Sequence, residues 1–275
     1  MYKGFKDVVI ADEVEHAKIY ESPADNTYDC LINEYLIVRN EDGDILDKFK
    51  WTGSEYKVLS YRQINNDFAG KIKPKNLQQE LAFDMLQDTQ SRIKVLDGAF
   101  GTGKDYLMIN HALDLIVKKQ KYSKIMWVRN NVEVKDSKPL GFLPGGAHDK
   151  LLPFAMIIAD HVGGLSGLEM LISQGRIELE HLGMMRGRDI KDTIILCSEA
   201  ENLTKEHVQL LIGRVGDGSA LWMNGDFRQT DGEIFRNNCG LTRTIEKLAG
   251  NPLFGYVHLE KVERSEVAAL ADLLD

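Results

Sequence analysis

Three cysteines in 275 residues, Cys30, Cys197 and Cys239, are too few and too far apart for a disulfide framework or a closed zinc site. They are read as reduced and structural. No apolar run is long enough to cross a bilayer, and the longest, residues 151–159, is broken by Pro153. The opening MYKGFKDVV has no apolar stretch of signal-peptide type. A cytoplasmic location without membrane contact is therefore expected. Excess positive charge is also missing: 34 Lys and Arg stand against 42 Asp and Glu, a formal net charge of −8. That excludes general attraction to a polyanion, so any nucleic-acid contact must be local. There is no repeat, low-complexity tract or long linker, and nearly all of the chain is expected to fold. Composition, 43% apolar and 28% charged, is that of an ordinary globular protein large enough to bury a sizeable core.

Two textures divide what is present. Residues 1–70 read as a small β-rich module, with strand-like runs at 34–39 and 45–51 around an Asp42-Gly43 hairpin signal. Its Tyr2, Phe5, Tyr35, Phe49, Trp51 and Tyr61 fit either a small core or a base-stacking platform, and burial is the commoner habit of aromatics. Residues 71–275 alternate strands with helices. Strands are expected at 93–96, 124–128, 176–180, 193–197, 220–224 and 256–259. Helices are expected at 148–160, 205–213, 241–248 and 265–274, and in a segment where Tyr106, Ile109, Leu113 and Ile116 recur at helical spacing. Apolar strands separated by helices imply an α/β fold with a mainly parallel sheet and ligands at the carboxyl ends of its strands.

Gly98-Ala-Phe-Gly-Thr-Gly-Lys-Asp105 follows a strand and opens a helix, the context a phosphate-binding P-loop needs. Gly98, Gly101, Thr102 and Gly103 would bring backbone N–H groups close to phosphates, and Lys104 would neutralise the β/γ-phosphates of ATP. The usual last residue is Ser or Thr, whose hydroxyl sits on Mg²⁺. Here it is Asp105. An acidic Walker B pair is expected at the end of an adjacent strand, and residues 194–202, Ile-Ile-Leu-Cys-Ser-Glu-Ala-Glu-Asn, supply it. Glu199 is placed to orient or deprotonate water. Ser198 stands where an Asp normally completes the metal shell. Hydroxyl and carboxylate have thus exchanged strands, and Asp105 with Ser198 can keep the set of oxygen ligands for Mg²⁺. A third element, residues 222–231, places Asp226 and Gln229 near the γ-phosphate; by itself, Gly225-Asp226 is an ordinary turn.

With these elements in order, the chain resembles the PhoH family of ATPases, whose core is related to superfamily-1 helicases. Further matches carry the resemblance: residues 74–79 with Gln79, Gly141-Phe-Leu-Pro-Gly145, Met185-Arg-Gly-Arg188 and Glu263-Arg-Ser265. The resemblance implies a RecA-like P-loop NTPase core, with Gln79 as a base contact and Arg264 near the γ-phosphate. It also implies a helicase-like hydrolase that couples ATP to RNA or single-stranded DNA, as a homo-oligomer of six. Residues 33–53 look like the small module between nuclease and ATPase in longer family members; no acidic nuclease constellation precedes them, so no PIN activity is expected. Four positions differ from the family pattern, namely Asp105, Ser198, Glu201 and Asn130.

An unshielded carboxylate about 4 Å from a phosphate is repelled by about 4 kcal/mol at an effective dielectric of about 20, so Asp105 excludes metal-free nucleotide unless a cation lies between. The other reading is a silent site in a nucleotide-binding assembly module with little or no hydrolysis. A small-molecule kinase is a third, opposed by Glu199 and Gly225-Asp226. For nucleic acid, Arg186, Arg188 and Lys191 form one basic patch; Lys135, Lys138 and the Gly145-Gly146 loop form another. Both compete with ordinary solvated surface charge.

Overall fold

The structure is a computed structural model and describes residues 2–130, 151–230 and 232–263. In the first segment, β1 (Phe5–Val9) pairs parallel with β2 (Tyr35–Arg39), which pairs antiparallel with β3 (Ile45–Trp51), and that with β4 (Tyr56–Val58). The Asp42-Gly43 turn joins β2 to β3 as expected, with Gly43 at φ +87°. One helix, α1 (Glu13–Glu21), is capped by Asp12, whose side chain accepts from the Glu15 N–H.

Strand β2 is apolar from Tyr35 to Val38 because both of its faces are covered there. Leu36 and Val38 pack with Ile10, Ile19, Phe49, Trp51 and Tyr56 inside the module. Tyr35 and Ile37 point the other way, into the main core with Leu81, Phe83 and Leu96. Phe5, Tyr35, Phe49 and Trp51 are buried, so they serve as core and offer no stacking platform. Polar contacts reinforce the seam. The Asn33 amide donates to the Pro252 and Phe254 carbonyls at 3.1 and 2.8 Å, and Tyr35 OH to Asp84 at 2.8 Å. A hairpin of β5 (Ile64–Asn66) and β6 (Gly70–Ile72) follows and straddles residue 70. Asn66 donates to Asn110 at 2.6 Å inside the protein.

The second segment is built on six parallel strands in the order β12-β7-β11-β10-β8-β9: β7 (Ile93–Gly98), β8 (Lys124–Arg129), β9 (Ile177–His181), β10 (Thr193–Cys197), β11 (Ala220–Gly225) and β12 (Phe254–Leu259). Alternate residues feed two cores, Leu96, Ile194, Leu196 and Trp222 on one face and Val95, Ile195, Leu221 and Met223 on the other. This is an α/β architecture consistent with a RecA-like P-loop fold. The helices are α2 (Leu77–Gln87), α3 (Lys104–Leu113), α4 (Met156–Ala159), α5 (Leu165–Ser173), α6 (Lys205–Ile212), α7 (Glu233–Asn237) and α8 (Gly240–Leu248). Helix α3 runs into a wider π-type turn at Asp114–Lys118. Ile109, Leu113 and Ile116 are buried as the spacing requires, but Tyr106 is exposed and pairs with His161. The helix expected at 148–160 is a 3₁₀ turn over Leu152–Ala155 followed by α4, divided near Pro153; residues 148–150 lie outside the described residues, as does the expected helix at 265–274. No helix among the described residues is long and apolar enough to cross a membrane.

One expectation about order needs correction. The strand that carries Ser198 and Glu199 is not adjacent to the P-loop strand: β11 lies between them, with Gly225 paired to Asp97 and Met223 to Cys197. Local pattern identifies strands but not their lateral order, so an inserted strand is invisible to it.

Candidate nucleotide site

Every sequence-predicted site residue that the structure describes, except Gln79, lies at the carboxyl end of a strand, in the loop that follows one or, for Lys104 and Asp105, in the first turn of the helix after that loop, where parallel sheets bind ligands. Gly98 ends β7. A Cβ there would sit 2.3 Å from the Leu259 carbonyl oxygen, so only glycine lets β12 close against the start of the loop. Gly101 and Gly103 take left-handed conformations, φ +83° and +92°, and Gly103 caps α3 without a side chain. The first-turn N–H groups of α3 therefore face the loop's interior as an anion-binding end.

Lys104 is folded back on the loop. Its Nζ donates to the Gly98 and Ala99 carbonyls at 2.7 and 2.9 Å, and burial lowers its pKa from the usual lysine value, opposed by Asp105, Asp226 and Glu201. Thr102 is fully buried and donates to Ala99 at 2.9 Å. Gln79, expected at the base, lies beneath the loop. Its amide donates to the Thr102 carbonyl at 3.0 Å, which braces the P-loop, and accepts from the Lys75 N–H at 2.9 Å, which ties it to the segment leading into α2.

Asp105 points toward β11, where the Asn224 amide donates to its Oδ1 at 3.0 Å. Asn224 is 1% exposed. Sequence reasoning missed this residue, because an Asn one place before Gly-Asp carries no motif signal; only the insertion of β11 beside β7 brings it to Asp105. Ser198 is also 1% exposed, and its Oγ has no hydrogen-bond partner among the described residues. A buried hydroxyl without a partner is a costly arrangement, and a bound ion or water is one thing that relieves it.

Glu199 sits just beyond β10 in the left-handed region, φ +53°, unusual for a residue with a side chain. Its carboxylate pairs with the guanidinium of Arg129 at the tip of β8, a second contact the sequence does not reveal. Glu201 is 5% exposed, and its Oε2 accepts from the Asp226 N–H at 3.1 Å. Burial pushes its pKa up to about 8, with the Glu199 charge adding to the effect. Gly225 makes room for it, since a Cβ there would lie 2.5 Å from Glu201 Oε2. Asp226 is buried and accepts from the Arg228 N–H at 3.0 Å, while Gln229 is exposed at the rim.

Most of these groups line a cleft of about 280 Å³. Lys104 and Asp105 come from the start of α3, Glu199 and Glu201 from the turn after β10, Asn224 from β11, Asp226 and Gln229 from the loop after it, and Phe100 and Ile157 add apolar surface; Ser198 is not among the lining residues. Glu263 is tied to the loop: its N–H donates to the Gly101 carbonyl at 2.9 Å and its carboxylate accepts from Asn76 at 2.8 Å. Arg264 lies outside the described residues, as do Gly141-Phe-Leu-Pro-Gly145 and the basic loop with Lys135 and Lys138. A larger cavity of about 640 Å³ lies at the opposite end of the sheet, between the module and α2. Its Lys50 is already paired with Asp84 and Asp88, at 3.5 and 2.7 Å, and it holds none of the motif residues. The basic patch is also largely compensated. Arg188 pairs with both Glu178 and Glu180, and Lys191 lies 3.5 Å from Asp189.

Comparison with known proteins shows one family. The family model for PhoH, described as PhoH-like protein, matches residues 71–273. Protein PhoH2 of Bacillus subtilis (strain 168) is 33% identical over 288 aligned positions, which take in all of this chain and 64% of that protein. Protein PhoH2 of Mycolicibacterium smegmatis is 32% identical over 202, covering 72% of this chain and 46% of the relative. A PhoH-like protein of Bacillus subtilis is 36% identical over 137, covering 49% and 42%. The chain thus spans between about two fifths and two thirds of the length of these relatives.

Proposed function

The chain belongs to the PhoH-like family, and from that premise we propose that it is a Mg²⁺-dependent ATPase whose metal-binding hydroxyl and carboxylate have exchanged strands. The observation that carries this reading is the pair of site atoms at the ends of α3 and β10: a carboxylate held in place by Asn224 where a hydroxyl is usual, and a buried, unpartnered hydroxyl where a carboxylate is usual. Both fit a hard cation. Among the described residues, no three His, Cys, Asp or Glu side chains converge as a ready metal cage, which suits an ion that keeps waters and substrate phosphates in its shell. Asp105 and Ser198 would hold it, and bound Mg²⁺ would neutralise phosphate charge.

The chain's own groups divide the remaining work. The loop from Gly98 to Lys104 binds phosphate oxygens through backbone N–H groups, with Lys104 leaving its two carbonyl partners to do so. Glu199 takes the proton of the attacking water as the water oxygen bonds to the terminal phosphorus and the bond to the β-phosphate oxygen breaks. Gln229 and Arg264 act near the terminal phosphate. The substrate surface is RNA or single-stranded DNA and the working form a homo-oligomer of six, both following from the family resemblance. The second reading, an assembly module that binds nucleotide without turnover, draws support from the Arg129–Glu199 pair, which occupies the proposed base.

The test is a double-mutant cycle on Asp105→Thr and Ser198→Asp, with ATP turnover and Mg²⁺-dependent ATP binding as readouts. Each single change should reduce turnover at least tenfold, by deleting or doubling the carboxylate, and the pair should recover most of it. Additive losses, or equal ATP binding in excess chelator, would remove the exchange.

A further inference from the structure

We propose that Arg129 is a positioning residue that restrains Glu199, and that a phosphate competing for the Arg129 guanidinium is what releases the carboxylate; the inference rests on the ATPase reading above. Strands β8 and β10 are neighbours with Val128 opposite Cys197, so Arg129 and Glu199 leave adjacent strand tips at the same end of the sheet. Their side chains are 16% and 34% exposed, which places the ion pair outside the fully solvated regime where such contacts count for little. Glu199 is in the left-handed region, a conformation unfavourable for a residue with a Cβ that must be held by its surroundings. One step along the chain, the Asn130 amide donates to the Asn202 carbonyl at 2.7 Å, clamping the β8 tip to the turn that contains Glu199. Position and restraint therefore come from the same strand end.

The consequence follows from the pairing. A guanidinium that grips the carboxylate fixes its position at the strand tip. The same fork binds phosphate bidentately. Arg129 can thus exchange one anion for the other, and it lets the Glu199 carboxylate go when it does. Two sources could supply the phosphate, the nucleic-acid backbone or the nucleotide itself, and their signatures differ.

Arg129→Gln and Arg129→Lys, with Glu199→Gln as control, are assayed for ATP turnover with and without a single-stranded homopolymer. Hydrogen exchange at residues 198–202 is followed in nucleotide-free protein. R129Q should raise basal kcat roughly 3–30-fold, R129K should raise it less, and exchange at 198–202 should quicken in R129Q. If the nucleic acid supplies the phosphate, stimulation by the homopolymer disappears in R129Q with the KM for ATP unchanged. If the nucleotide does, that KM rises and stimulation persists. A basal kcat that stays level or falls in both Arg129 variants overturns the restraint. If the wild-type protein turns over no ATP, the ATPase reading fails separately, and hydrogen exchange alone then decides: faster exchange in R129Q, or in R129K should R129Q fail to fold, supports the pair, and unchanged exchange refutes it.

Discussion

Replacing Glu201 by Gln should cost this protein about 1–3 kcal/mol of stability at pH 4.5, and that cost should turn into a net gain as pH rises through neutrality. Glu201 is buried against Gly225 beside Glu199, and its pKa rises from 4.5 to about 8 on folding. A carboxyl whose folded pKa is raised contributes stability that is fully present below pH 4.5 and lost as pH climbs through 8, because the native state holds a proton that the unfolded chain has released. At pH 7.5 the unfolded side chain lies three units above its own pKa. At about 1.4 kcal/mol per unit, ionisation lowers stability by a ceiling of roughly 4 kcal/mol. Glutamine keeps the acceptor for the Asp226 N–H but adds an NH₂ that needs a partner, which returns about 1–3 kcal/mol. The expected net gain is about 1–3 kcal/mol at pH 7.5. Urea unfolding of both proteins at pH 4.5, 6 and 7.5, in chelator and without nucleotide, measures it. The stability difference should move steadily in the variant's favour as pH rises. Parallel pH profiles would show that Glu201 is ionised in the fold and that its burial has been misread.

Four shorter predictions concern neighbouring features. Gly225→Ala should lower stability by about 1–3 kcal/mol, read as a drop in Tm, because the new methyl meets Glu201 Oε2 at 2.5 Å and Leu241 at 2.7 Å. Ser198→Ala should change metal-free stability by less than about 0.5 kcal/mol, since its Oγ has no partner to lose, while weakening Mg²⁺-dependent ATP binding; a clear loss of metal-free stability would contradict the orphaned hydroxyl. His111 is buried with its pKa lowered to about 3, so the fold loses stability as pH falls below 6.5, by about 2 kcal/mol at pH 5, and His111→Gln should flatten that acid limb in pH-dependent unfolding. Lys94, buried over the Trp222 ring with its pKa lowered to about 7, sets the opposite end: stability should climb between pH 7 and pH 10.5, and Lys94→Met should abolish the slope.

The strands were the most legible part of the fold, and the reason is burial. Residues 194–197 are apolar without interruption because both faces of β10 are covered, so the run and the strand nearly coincide. Helix α1 was not legible: Glu13, Glu15, His16 and Lys18 leave it little apolar periodicity, and its Asp12 cap and the packing of Ile19 hold it. The loop glycines, Lys104 and Glu199 could be placed because each lies inside a short local motif. Asn224 against Asp105, and Arg129 against Glu199, could not. Each pair is more than sixty residues apart and depends on lateral strand order, which no local pattern encodes. Gln79 shows the same limit in reverse. Its motif was visible, but a residue type does not reveal whether an amide faces a base or the underside of a loop.

The two-sided burial of β2 bears on how this protein can be cut and handled. The stretch that the family model matches begins at residue 71, yet Phe5, Tyr35, Ile37 and Ile64 belong to the same apolar core as Leu81 and Leu96. A recombinant fragment trimmed to that stretch would leave the core open on one side, inviting aggregation of a piece whose loop and strand-end motifs are intact. The unit that the family model marks and the unit of cooperative folding do not coincide in this chain, and a minimal expressible version should start no later than Gly4, whose backbone packs directly on Tyr256 of β12.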